Sequence, residues 1–136
     1  MINQKAQLKV KGEVIITDQN GKVLFEDHND TTPFVAEMVA LAIAGNIPGN
    51  FFSVGLIRAQ GDFGNQTAPI TYVETADGQP WVISKATFSP SSFTGNITQF
   101  SLETQNLVFS NVTGLSIDKA ASTAITVTWK ITFNIV

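Results

Sequence analysis

The chain has 136 residues, no cysteine, 43% hydrophobic and 14% charged residues, and a formal net charge of −3. That length fits one domain that buries a core without staples; the missing cysteine excludes disulfide and thiolate chemistry, and a weakly acidic chain without a polybasic cluster argues against nucleic-acid binding. Charge stands well below the roughly 25% of an ordinary soluble domain, and Thr, Ser, Asn and Gln replace it, as suits threonine-lined strands and surfaces covered by a neighbour, because burying these groups costs less than burying Lys or Glu.

The first residues, Met1-Ile2-Asn3-Gln4-Lys5, carry no apolar signal core. Leu8, Val10, Val14 and Ile16 then alternate with Lys9, Lys11, Glu13 and Thr17, the period of a half-exposed strand. Gly12 is expected to mark a bulge. Asp18-Gln19-Asn20-Gly21 supplies a hairpin turn, with Asn-Gly suited to positive φ, and Val23-Leu24-Phe25 returns as the partner strand. A calcium loop starting at Asp18 fails, because the Glu that must close it is missing.

Thr32 and Pro33 form a helix start, and Phe34 to Ala44 reads as a short apolar helix closed by Gly45. Its eleven residues fall short of the about 20 that span a membrane. A strand is expected from Phe51 to Ile57, then a long irregular connection from Gly61 to Gln79 with one short strand at Ile70 to Val73. Further strands are read at Trp81 to Phe88, Ile97 to Glu103 and Leu107 to Phe109.

The last strand is the clearest element. Ile125, Val127, Trp129, Ile131, Phe133 and Ile135 alternate with Thr126, Thr128, Lys130, Thr132 and Asn134 without a fault. Burying six such side chains contributes about 9 to 18 kcal/mol, against about 11 to 22 kcal/mol for fixing the backbone. The strand therefore orders only when paired inside a sheet, and Trp129 belongs to its core side.

Catalytic and metal chemistry find little footing. His28 is the only histidine, and no glycine-framed serine accompanies it. Asp27, His28 and Asp30 are dense in ligand types, but neighbours on one segment do not converge on a metal, so Asp27 to Asp30 reads as a solvated turn before the helix. Glu74, Asp77, Glu103 and Asp118 show no spacing that favours a paired-carboxylate site. No catalytic, cofactor-binding or metal-binding residue is assigned. The candidates for contact are Phe51, Phe52 and Phe63 beside glycine-rich turns, Trp81 after Gln79-Pro80, and the threonine face of the last strand at Thr126, Thr128 and Thr132. For the three phenylalanines the competing assignment is core at strand ends.

Taken in order, Gly12-Glu13-Val14-Ile15-Ile16, Gly21-Lys22-Val23-Leu24, Asn29, Ala44-Gly45 and Val54-Gly55-Leu56 form one ordered pattern. Ala86-Thr87-Phe88, Gly95-Asn96-Ile97, Phe100-Ser101-Leu102, Ser116-Ile117-Asp118-Lys119 and the run Val127 to Phe133 continue it. The pattern resembles small virion structural proteins of tailed bacteriophages, of the head-decoration, neck or tail-appendage type. It departs from them in lacking a Gly-Thr-Gly after the Val-Gly strand, which leaves Arg58 to Gly64 without a counterpart. The resemblance implies a virion protein whose partners are copies of itself, as a trimer or higher homo-oligomer, and other virion proteins, without nucleic acid, membrane or cofactor.

The expected fold is mainly β, an antiparallel, jelly-roll-like β-sandwich in a single domain over residues 1–136, with one short apolar helix near 33–44. The alternative to a structural subunit is a carbohydrate- or host-surface-binding β-sandwich module.

Overall fold

Alternating apolar residues govern the architecture from the last strand outward. The computed structural model describes residues 8–30, 55–104 and 108–135. Its strands in chain order are β1 (Leu8–Asp18), β2 (Val23–Asp30), β3 (Leu56–Gly61), β4 (Gly64–Pro69), β5 (Tyr72–Glu74), β6 (Trp81–Phe88), β7 (Gly95–Glu103), β8 (Val108–Val112), β9 (Ile117–Lys119) and β10 (Ile125–Ile135). The helix expected at residues 33–44, and Phe51 and Phe52, lie outside the described residues.

Two antiparallel sheets form a sandwich. The first has the order β2-β1-β10-β6-β5; the second has β4-β3-β7-β8, with β9 also pairing β7. β10 occupies the centre of the first sheet. It pairs β1 from Leu8↔Ile135 to Asp18↔Ile125 without a shift, and β6 from Ile125↔Phe88 to Thr132↔Trp81. Val14, Ile16, Ala86, Phe88, Val127, Trp129 and Ile131 face inward from this sheet and meet Ile57, Ala59, Phe100, Leu102 and Phe109 of the other, all buried. Removal of each such side chain from water contributes about 1.5–3 kcal/mol, which holds the sheets together. At the two sides β2 approaches β8, and β4 approaches β6.

The β1–β10 register runs unbroken through Gly12↔Ile131, so Gly12 marks no bulge; the irregularity against β2 falls between Ile16 and Thr17. At the hairpin only Gly21 takes positive φ (79°), and no non-glycine residue does. The turn is held by Asp18, whose Oδ1 accepts from the Asn20 and Lys22 amides at 2.8 and 3.0 Å. A short side chain with its oxygen near the backbone thus replaces the tight two-residue turn.

Glu26 to Asp30 lies in β2, and not in a turn before a helix. Asp and Asn are poor strand formers, but the edge of a sheet tolerates them, and charge there discourages stray pairing. The connection read as irregular from Gly61 is a hairpin: β3 runs through Gly61, which pairs Gly64 across the Asp62-Phe63 turn. Gly61 is glycine for a steric reason, since a Cβ there would strike the Asn96 carbonyl of β7. After Pro69 the chain crosses between sheets. The Ile70 amide donates to the Gly55 carbonyl, and the Thr71 amide to the Lys85 carbonyl.

Lys119 fastens the β6–β7 connection. The residue is 2% exposed, and its Nζ donates to the carbonyls of Pro90 and Phe93 at 2.8 Å each and of Ala120 at 3.4 Å. The ammonium also lies 5.1 Å from the Phe93 ring centroid. Burial pushes its pKa down.

Candidate interface on the first sheet

The side of the first sheet that faces away from the core is set by the same alternation. With Ile125, Val127, Trp129 and Ile131 buried, Thr126, Thr128, Lys130 and Thr132 of β10 point outward and are half-buried among their neighbours. The strand registers then lay out the face in rows. One row reads Glu26, Ile15, Thr128, Lys85, Tyr72 from β2 to β5. The next reads His28, Glu13, Lys130, Ile83, Glu74. A third places Lys11, Thr132 and Trp81 side by side, and a fourth Thr17, Thr126 and Thr87.

Four large apolar or aromatic side chains therefore stand on the outer face: Ile15, Ile83, Trp81 and Tyr72. Tyr72 is 45% exposed; Ile15, Ile83 and Trp81 are half-buried. Each aromatic ring is flanked by a lysine, with Lys130 Nζ 5.4 Å from the Trp81 centroid and Lys85 Nζ 5.1 Å from that of Tyr72. Such contacts steady the lysine stems along the rings. The Tyr72 hydroxyl donates to Glu74 Oε2 at 3.0 Å, which holds its pKa above the ordinary tyrosine value. Thr87 and Thr126 hydroxyls meet at 2.9 Å.

The residues expected to make contacts divide. Trp81, Thr126, Thr128 and Thr132 come together on this one face, with Trp81 directly opposite Thr132. Phe63 is elsewhere, at the tip of the β3–β4 hairpin. It packs on Phe93 with ring centroids 4.3 Å apart and joins the edge of the core. Ile15, Ile83, Tyr72, Lys85 and Lys130 were not singled out by sequence, although a signal existed. Val14-Ile15-Ile16 and Trp81-Val82-Ile83 are apolar at consecutive positions, so at least one member of each run must face outward.

The outer face of the second sheet is different in kind. Arg58 of β3 donates through Nε to Glu103 Oε2 at 2.8 Å and through Nη2 to Oε1 at 3.3 Å, and through Nη1 to Asn65 Oδ1 at 2.7 Å. The bond to Glu103 raises the Arg58 pKa further. This two-pronged pair ties β3, β4 and β7 together and leaves the guanidinium occupied.

Three of the four acids considered for chemistry are separately engaged. Glu74 accepts from Tyr72, Glu103 from Arg58, and Asp118 Oδ1 from Asn96 Nδ2 at 2.7 Å. Asp27 and His28 stand opposite Val14 and Glu13, so their side chains leave β2 on opposite faces. Among the described residues no three His, Cys, Asp or Glu side chains come together as metal ligands, and no helix is long and apolar enough to cross a membrane. Comparison with protein families, with curated proteins and with solved structures returns no match.

Proposed function

We propose that this chain is a non-enzymatic structural subunit of a tailed-bacteriophage virion, of the head-decoration, neck or tail-appendage type. It assembles with copies of itself, as a trimer or higher homo-oligomer, and with other virion proteins. The observation that carries the reading is the outer face of the first sheet, where Ile15, Ile83, Trp81 and Tyr72 interrupt a threonine and charge mosaic five strands wide. Large apolar groups on the water side of a sheet gain from being covered, and the uncharged threonines between them are cheap to desolvate. The ordered sequence pattern supplies the kind of assembly, and the repeated crossing of the chain between sheets supports a jelly-roll-like description of the sandwich.

The test is a pair of substitutions, Ile15→Lys with Ile83→Lys. Both side chains lie outside the core, so the variant folds, while its incorporation into particles and its oligomer size fall. Undiminished incorporation overturns the reading.

A second reading, a carbohydrate- or host-surface-binding module, is favoured by one observation: Trp81 and Tyr72 lie on the same face among lysine, glutamate and threonine side chains that donate and accept hydrogen bonds. Glycan binding lost in Trp81→Ala would support it, and absence of binding to any glycan would discard it.

A further inference from the structure

β5 is the place where the sandwich is unfinished. Its parity puts Val73 on the core side of the first sheet, in register with Ser84 of β6, whose own neighbour is Trp129. Ser84 and Trp129 are buried, yet Val73 is 59% exposed, the most exposed large hydrophobic side chain among the described residues. The cause is topological. β4, the edge of the second sheet, approaches β6, and β5 extends one strand beyond it. An apolar side chain therefore points toward a core layer that stops short of it.

The two edges of this sheet also differ in protection. β2 carries Glu26, Asp27 and His28, all exposed, and charge on an edge strand repels unwanted pairing. At the other edge, β5 carries one charge, Glu74 at its end, and the Ile70 to Val73 stretch leading into it carries none; β4, the adjacent edge of the second sheet, is also uncharged. Among the described residues β5 pairs only β6, so its outer rim of backbone groups faces away from the sheet.

We infer that β5 pairs with β5 of a second copy of this chain, antiparallel across a two-fold axis at Val73. This rests on reading the chain as a self-assembling subunit and names the contact. In that register Val73 faces its own counterpart on the core side, and each apolar side chain covers the other. On the outer side Tyr72 faces Glu74 of the second copy, so the hydroxyl-to-carboxylate bond now made within one strand (3.0 Å) can be made between chains. No like charges oppose one another, and Lys85, beside Tyr72 in its own sheet, adds an attractive charge next to the incoming Glu74. The two first sheets become one continuous sheet. Three paired residues bury less than the about 1,200 Å² of a stable dimer, so the contact is weak in dilute solution and strengthens when other contacts concentrate the copies.

The absence of native cysteine makes the test direct. Residues opposite each other across an antiparallel pair have Cα atoms about 4.5–5.5 Å apart, within the about 4.4–6.8 Å that a disulfide spans. Val73→Cys, as the sole thiol, is expected to form a covalent dimer on mild oxidation far faster than Glu26→Cys on the opposite edge. Val73→Lys is expected to weaken self-association at least about tenfold by opposing like charges, with an unchanged circular-dichroism spectrum. Equal crosslinking of the two cysteine variants, or wild-type association of Val73→Lys, overturns the inference. If the wild-type chain enters particles while Val73→Cys fails to crosslink, the subunit reading stands and this contact falls; a chain that stays monomeric and never enters particles removes both.

Discussion

Replacing Lys119 by Met tests how backbone carbonyls hold a buried ammonium. The substitution keeps the apolar stem but removes the donor to Pro90 and Phe93 at 2.8 Å and to Ala120 at 3.4 Å. Hydrogen bonds from a charged donor contribute about 1.5–3 kcal/mol each. Two short ones and one long one are partly offset by the desolvation that Met avoids, leaving an expected loss of about 2–4 kcal/mol. Urea denaturation at pH 7 measures it. The pH dependence supplies a second reading of the same group. Burial lowers the Lys119 pKa below its ordinary 10.5, so between the folded-state value and 10.5 the unfolded chain binds more protons and stability rises with pH. Below that window the effect is flat. The gap between wild type and Lys119→Met should therefore widen from neutral pH toward 10.5, whereas the opposite contribution of Tyr72, whose pKa is raised, is common to both proteins and cancels. A variant as stable as wild type at pH 7 would refute the claim that the three carbonyls depend on the Lys119 amino group as their donor.

Gly61→Ala should lose about 1–3 kcal/mol, because the new Cβ meets the Asn96 backbone carbonyl, which cannot turn away, as well as the Phe63 ring; thermal denaturation checks it. A double-mutant cycle of Arg58→Ala and Glu103→Ala should give a coupling of about 1 kcal/mol, toward the upper end for exposed pairs, since the side chains are 29% and 14% exposed and the contact is two-pronged. Trp129→Phe should change stability by less than about 1.5 kcal/mol. Its Nε1 is buried without an acceptor among the described residues, so the relief of about 1–3 kcal/mol from removing that donor opposes a similar loss in packing. Trp129→Ala, with no such relief in proportion to its cavity, should lose about 3–5 kcal/mol.

The sequence made β10 legible because six apolar residues at strict alternation have one solution, a central strand with one buried face. β6 and most of β1 followed for the same reason. The edge strands were legible only in part: the reading at Ile70 to Val73 overlaps β5, and that at Leu107 to Phe109 overlaps β8 at Val108 and Phe109. β2 beyond Phe25 and β4 were missed: they are made mostly of Asp, Asn, Gln, Gly and Pro, which seldom form strands unaided, and they are strands because β1 and β3 offer them partners. Propensity is a local quantity, whereas pairing is supplied by residues far along the chain. The candidate interface was half visible for a related reason. Thr126, Thr128 and Thr132 follow from the alternation of β10, but assigning Ile15 and Ile83 to the outer face requires knowing which member of an apolar triplet the register turns inward.

The two sheets are made from the same alternating strands, yet their outer faces end in different states. On the second sheet the outward positions satisfy one another: Arg58 is claimed by Glu103 and Asn65, and Ser101, in register with Arg58, is buried beneath them. On the first sheet the outward positions include Ile15, Ile83, Trp81 and Tyr72, which gain nothing from water. Tyr72 belongs at once to that face and to the rim at β5, so face and rim form one continuous surface along one side of the molecule. A single surface can serve two contacts, one by stacking and one by strand pairing, and the substitutions separate them. Ile15→Lys with Ile83→Lys leaves the rim of β5 untouched, and Val73→Lys leaves the face untouched, so loss of particle incorporation in the first with retained crosslinking at Val73→Cys would assign the two contacts to different neighbours.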